Sequence, residues 1–127
     1  MIDLSNGIVK VTEGLIVYPN YSFKEFKQTS FYKKQDGIRI LYLDGQQVID
    51  GKNYIVSMFF KNEKIYILSL ICCNMQYSEM EEKKRKELHD EILKQYNIVG
   101  EKEFAWGRVT SDYDARSNCS SINLLYF

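Results

Sequence analysis

Tyr54-Ile55-Val56-Ser57-Met58-Phe59-Phe60, Lys61-Asn62-Glu63-Lys64 and Ile65-Tyr66-Ile67-Leu68-Ser69-Leu70-Ile71-Cys72, taken together, are the stretch that decides the fold. Two runs rich in β-branched and aromatic residues flank a polar tip, the pattern of an antiparallel hairpin. On the second run Tyr66, Leu68, Leu70 and Cys72 share one side, and Ile65, Ile67 and Ile71 the other. Antiparallel strands with one wet face alternate more cleanly than this. The hairpin is therefore expected at the centre of a sheet, covered at least partly on both sides.

Toward the N-terminus, Ile38 to Leu43 reads as a strand, the Asp44-Gly45 turn follows, and Gln46 to Ile49 is a short strand ending at Asp50-Gly51. With the central hairpin these make an antiparallel meander. Further upstream, Ile8 to Thr12 and Leu15 to Tyr18 read as two short strands joined at Thr12-Glu13-Gly14. Ser22, with Glu25 at the third helical position, caps a short helix through Lys27. Phe23 and Phe26 lie three apart, share a face and pin that helix to the sheet.

Toward the C-terminus the period changes. Ser78 and Glu81 form the Ser-x-x-Glu pattern at the head of a principal helix, Glu79 to Asn97. Glu79, Glu81 and Glu82 suit the positive end of its dipole and Lys94 the negative end. Its apolar stripe, Leu88, Ile92, Leu93 and Tyr96, lies in the second half, so the first two turns, with Met80 among charges, are expected to project into solvent. Phe104 to Val109 and Ser121 to Phe127 read as a terminal strand pair around a polar loop, Ser111 to Ser120. The expected fold is a single α+β domain over residues 1–127: an antiparallel meander sheet on one principal helix, with a short N-terminal helix.

Composition agrees and excludes several classes. A chain of 127 residues, 45% apolar and 27% charged, has the size and balance of one globular domain. Its 17 basic and 17 acidic side chains cancel, against the basic excess of proteins that grip nucleic-acid phosphates. No apolar run reaches the ~18 residues of a membrane helix. Met1 to Gly7 has neither the basic start nor the apolar core of a signal peptide, so a cytoplasmic chain is expected. Three cysteines without framework spacing fit a reducing compartment. Cys72 and Cys73, on opposite faces of a strand, are expected as free thiols packed like small apolar residues.

Little in the sequence points to chemistry. His89, the single histidine, falls at the edge of the buried helix face, where a border residue with one hydrogen-bonded nitrogen is expected. A nucleophile–base pair with Cys119, oriented by Asp112 or Asp114, has no support from spacing. The basic run Lys83-Lys84-Arg85-Lys86 is flanked by Glu79 to Glu82 and Glu87 at ion-pairing distances, as on a solvated helix face. Asp112-Tyr113-Asp114-Ala115-Arg116 begins like a calcium loop, but glycine is missing at its sixth position and Asn123 stands at its twelfth. It reads instead as a hairpin loop whose carboxylates bond backbone amides and Arg116, or as a recognition loop with Tyr113 between two carboxylates. There is no phosphate-binding glycine loop and no hydrolase or metalloprotease signature. No catalytic residue, metal site or cofactor is expected.

One resemblance adds to this. Tyr54-x-Val56-x-Met58-x-Phe60 and Ile65-x-Ile67 lead to a helix carrying Leu88-His89-Asp90-x-x-Leu93. Then come Phe104-Ala105-Trp106-Gly107-Arg108-Val109-x-Ser111-x-Tyr113-Asp114-x-Arg116-Ser117 and Ile122-x-Leu124-x-Tyr126. Over about three quarters of its length the chain resembles small bacterial immunity proteins of polymorphic and contact-dependent inhibition toxin systems. The resemblance implies inhibition of a cognate toxin domain by direct binding, with no chemistry of its own. Immunity proteins diverge strongly, so the candidate partner-binding residues come from exposure and charge. They are Glu79, Glu81 and Glu82 at the helix start and Asp112, Tyr113, Asp114 and Arg116 in the loop. Two other classes stand beside this reading: a structural or adaptor domain of a phage or mobile-element assembly, and a small enzyme or nucleic-acid binder.

Overall fold

A computed structural model describes residues 1–37 and 40–127; Ile38 and Arg39, the expected start of the strand Ile38 to Leu43, lie outside the described residues. The strands are β1 (Ile2–Asp3), β2 (Ile8–Thr12), β3 (Leu15–Val17), β4 (Ile40–Tyr42), β5 (Gln47–Ile49), β6 (Lys52–Lys61), β7 (Lys64–Cys72), β8 (Lys102–Phe104), β9 (Gly107–Asp114) and β10 (Cys119–Tyr126). The helices are α1 (Phe23–Phe26) and α2 (Glu82–Gln95), the latter entered through a 3-10 turn, Glu79–Glu81. The architecture is α+β, with an antiparallel sheet on one principal helix and a short helix near the N-terminus, as the sequence predicts.

The strand order departs from a single meander. The large sheet runs β4-β6-β7-β10-β9-β8, with β5 also pairing β6, and β1-β2-β3 form a separate small sheet. Two meanders therefore meet at β7 and β10. After β7 the helix carries the chain to the far edge, and β8, β9 and β10 return inward.

Three local differences have plain causes. First, the expected strand Phe104 to Val109 is a hairpin in which Phe104 pairs Gly107, and the expected loop Ser111 to Ser120 is mostly strand, with Asp114 pairing Cys119. Thr110, Ser111 and Tyr113 suit a pleated surface, and polarity hid it because one face of this hairpin is wet. Second, the β6–β7 register shifts, so that Phe59 pairs Ile67 while Phe60 pairs Ile65. This bulge turns Ile65 inward, at 4% exposure, and Tyr66 outward, at 42%. The simple alternation of the sequence thus fails at that end of β7. Third, α2 ends at Gln95, short of the expected Asn97: Asn97 takes a left-handed φ of 65°, and the Ile98 N–H reaches the Leu93 carbonyl at 3.0 Å, which satisfies a carbonyl of the last helical turn.

The inner face of the large sheet holds the core. Tyr54, Val56, Leu68, Leu70, Ile122 and Leu124 lie beneath Ile92 and Leu93 of α2, and Leu4, Val9 and Leu15 of the small sheet complete the cluster. Ser22 and Glu25 cap α1 reciprocally: the Ser22 N–H donates to the Glu25 carboxylate at 2.8 Å, and the Glu25 N–H to Ser22 Oγ at 3.1 Å. Phe23 and Phe60 pack edge to face at 5.3 Å, the expected pin. The N-terminal segment is anchored on the same inner face. Trp106 Nε1 donates to the Leu4 carbonyl at 2.8 Å and the Tyr126 hydroxyl to the Gly7 carbonyl at 2.9 Å. The indole lies so close over Gly7 that a Cβ built there would stand 2.5 Å from it.

Helix and N-terminal segment thus cover one face, and the cover expected on both sides of the central hairpin falls on one. The outer face is ordered in rows by the strand register. One row is Ile40, Phe59, Ile67, Leu125 and Arg108; the next is Tyr42, Ser57, Ser69, Asn123 and Thr110. Beyond them Ile55 pairs Ile71, and Ser121 pairs Asp112. Tyr42 and Ile55 are exposed, at 66% and 38%, and Phe59, Ile67, Ile71 and Leu125 are half-buried.

Candidate partner-binding surface

The two segments singled out by charge, the helix start and the β9–β10 loop, meet at one end of the molecule. The Asn118 amide donates to the Glu79 carbonyl at 2.8 Å and accepts from the Tyr113 hydroxyl at 2.8 Å. Lys83 Nζ stands 5.7 Å over the Tyr113 ring. The Arg116 N–H donates to the Asp114 carboxylate at 2.9 Å, the carboxylate-to-amide bond expected of such a turn. Met80 projects at 96% exposure beside Glu79. Glu81 bonds Ser78 Oγ at 3.0 Å and Lys84 at 3.0 Å. The Lys84 hydrogen bond leads in holding its carboxyl below the usual range.

Two of the seven candidates lie elsewhere. β9 alternation places Asp112 on the outer face, away from Tyr113, where it accepts from Thr110 Oγ1 and, at 2.8 Å, from Asn123 Nδ2. Glu82 turns inward. Its carboxylate accepts from the Ser120 N–H at 3.0 Å and pairs with Arg85 Nε at 3.1 Å, the two side chains being 12% and 14% exposed. The first α-helical turn is therefore tied to the sheet, contrary to the expectation that it projects; Met80 and Glu79, one turn earlier, do project.

This inward turn belongs to a polar stripe, Glu82, Arg85 and His89, on one face of α2. Its purpose is legible in the strand ladder. β7 and β10 pair as far as Leu70 with Ile122. The next pair in that register would be Cys72 with Ser120. Instead, the Ser120 N–H goes to Glu82, the Cys72 N–H to His89 Nε2 at 3.0 Å, and the Cys72 carbonyl accepts from the Arg85 guanidinium. Helix side chains thus complete the backbone bonding where the two meanders stop pairing, as buried N–H and C=O groups require. The ring of Tyr77 packs against Arg85 at 5.2 Å.

His89 is fully buried, deeper than the border position its helical wheel suggests, with the one hydrogen-bonded nitrogen expected. Burial, then the charge of Arg85, push its pKa down to about 4. Because Nε2 accepts, the neutral ring carries its proton on Nδ1, which has no partner among the described residues. His89 is thus occupied with Cys72 backbone and not with Cys119, whose half-buried thiol is pushed up in pKa by burial and then by Glu82. Among the described residues no group of three or more His, Cys, Asp or Glu side chains could hold a metal ion. Among the described residues no helix is long and apolar enough to cross a membrane. Within the basic run Lys84 pairs with Glu81 and Arg85 with Glu82, as its spacing predicts, while Lys86 pairs with Asp90 and Lys83 lies over the Tyr113 ring.

No protein-family model, curated protein or solved structure matches this chain.

Proposed function

We propose that this chain acts by binding another protein, as an immunity protein that neutralises a cognate bacterial toxin domain without chemistry of its own. The observation that carries the reading is the joining of two distant segments into one exposed surface. Glu79, Met80 and Lys83, with the half-buried Tyr113, present an aromatic ring, a flexible thioether and charges of both signs on a hydrogen-bonded frame, and the Asp114–Arg116 turn forms the tip of the same hairpin. Such a mixture suits a protein interface, in which a few anchors supply affinity and charges steer encounter. The buried, backbone-bound His89 supports binding over acid–base catalysis, because a general base must reach its substrate.

The test is co-expression. A large secreted protein with a variable C-terminal domain, encoded beside this chain, supplies the candidate toxin. The domain expressed alone should arrest growth, and this chain should restore it. Tyr113→Ala with Arg116→Glu should weaken protection and lower affinity roughly 100-fold if both are anchors, by about 3 kcal/mol. Toxicity that is unchanged by the native chain would sink the reading. The adaptor-domain alternative draws on the apolar outer face of the sheet; pull-downs from the native host that return no stable partner would remove it.

A further inference from the structure

The outer face of the large sheet carries rows whose ends are oppositely charged. The Phe59–Ile67–Leu125 row ends on β9 at Arg108, and the Ile71 and Ser121 side ends on the same strand at Asp112, with Thr110 between. Arg108 and Asp112 are exposed, and neither has an ion-pair partner among the described residues. The Asp112 carboxylate is held in place by Thr110 and Asn123. Arg108 has Glu103 beside it on β8, in register but outside ion-pair distance.

We infer that this face binds a second copy of the chain, sheet to sheet, through a two-fold axis that crosses the strands near the row of Ser57, Ser69 and Thr110. Three observations carry it. Such an axis reverses strand direction between copies, so the Arg108 end of one face comes opposite the Asp112 end of the other, twice. The charges are therefore complementary to themselves, as a two-fold interface demands. Next, Ser57, Ser69 and Thr110 in the middle row are small and already buried, at 7–8% exposure, beneath larger neighbours, with Tyr42 standing out at the β4 end, so the flanking rows and Tyr42 supply the contact at the ~10 Å spacing of packed sheets. Last, the four long strands β6, β7, β9 and β10 at ~4.8 Å by about 20 Å, with the three-residue β4 and β8 at the edges, give a footprint of roughly 500 Å² before side-chain relief, against the ~800 Å² per partner of a standard interface. The toxin-binding surface lies at the helix end, so this dimer neither requires nor blocks that reading.

Light scattering on the native chain over a concentration series tests it. The expected mass at high concentration is twice the 15.0 kDa of the chain, falling toward one copy on dilution. Ile55→Lys, at an exposed position, should give a monomer with unchanged circular dichroism. Arg108→Asp and Asp112→Arg should each weaken the dimer about tenfold or more, and the two together should recover most of that loss. A native chain that stays monomeric at its highest soluble concentration would overturn the inference. So would a dimer indifferent to Ile55→Lys, or a double reversal no tighter than either single one. Growth protection by a monomeric Ile55→Lys variant would separate this outcome from the toxin reading.

Discussion

His89 shows how far a residue's neighbours decide its meaning. Its imidazole serves as an acceptor for the Cys72 N–H and is kept neutral by burial. The folded pKa of about 4 lies below the ~6.5 of an unfolded chain, so between these values the unfolded state binds more protons. The stability this contributes is present above about pH 6.5 and is lost as pH falls toward 4. The shift corresponds to about 3 kcal/mol at most. Urea midpoints between pH 7 and pH 4 should fall with this slope, and His89→Gln should flatten it across the upper part of the window, where carboxylates scarcely titrate. An equal slope in both proteins would contradict the assignment. Gly107 is another residue whose meaning is spatial: a Cβ there would stand 2.0 Å from the Leu125 carbonyl oxygen, so strand pairing itself demands glycine. Trp-Gly at 106–107 looks like a motif and works as packing.

At the scale of elements, α2 does two jobs at once. Ile92 and Leu93 bury its second half, which its apolar stripe announces. Glu82, Arg85 and His89 face the sheet through its first half, and nothing in their spacing distinguishes them from a solvated face until the ends of β7 and β10 are placed beside them. Removing Glu82 leaves a buried Ser120 N–H and a half-buried guanidinium without their partner. Glu82→Ala should therefore cost about 2–4 kcal/mol in denaturant unfolding, well above the ~1 kcal/mol or less of an exposed helix pair. Glu81→Ala, whose bonds are at the surface, is the matched control and should cost under about 1 kcal/mol. Equal losses would mean that Glu82 is solvated in solution. The capping patterns, Ser22 with Glu25 and Ser78 with Glu81, were legible because caps are local. The β8–β9 hairpin was not, because its turn at Ala105-Trp106 lacks glycine and its strands are polar on one side.

Across the whole molecule, the small N-terminal sheet and the C-terminal hairpin are held together by Trp106 and Tyr126, bonded to Leu4 and Gly7. Trp106→Phe keeps an aromatic ring over Gly7 and removes the Leu4 bond, so it should cost about 1–2 kcal/mol of global stability. Faster amide exchange in the N-terminal segment should accompany it; exchange changes confined to β8 would argue against this coupling. Of the candidate surface, the sequence marks exposed charge at the helix start and around Tyr113. It does not show that these segments touch, that Glu82 faces inward, or that Asp112 lies on the opposite side of the sheet from Tyr113. By itself the sequence determined the α+β class, the central hairpin, the helix and its caps, since these follow from periodicity and bonding among near neighbours. The tertiary structure alone decided that β10 inserts beside β7, that helix and N-terminal segment share one face, and that the other face, of mixed apolar and polar rows, carries no covering element among the described residues. The reason is physical: strand order and face coverage are settled by backbone pairing and burial between residues distant in the chain, such as Leu70 with Ile122 and Trp106 with Leu4, and a local pattern carries no record of which distant partner satisfies it.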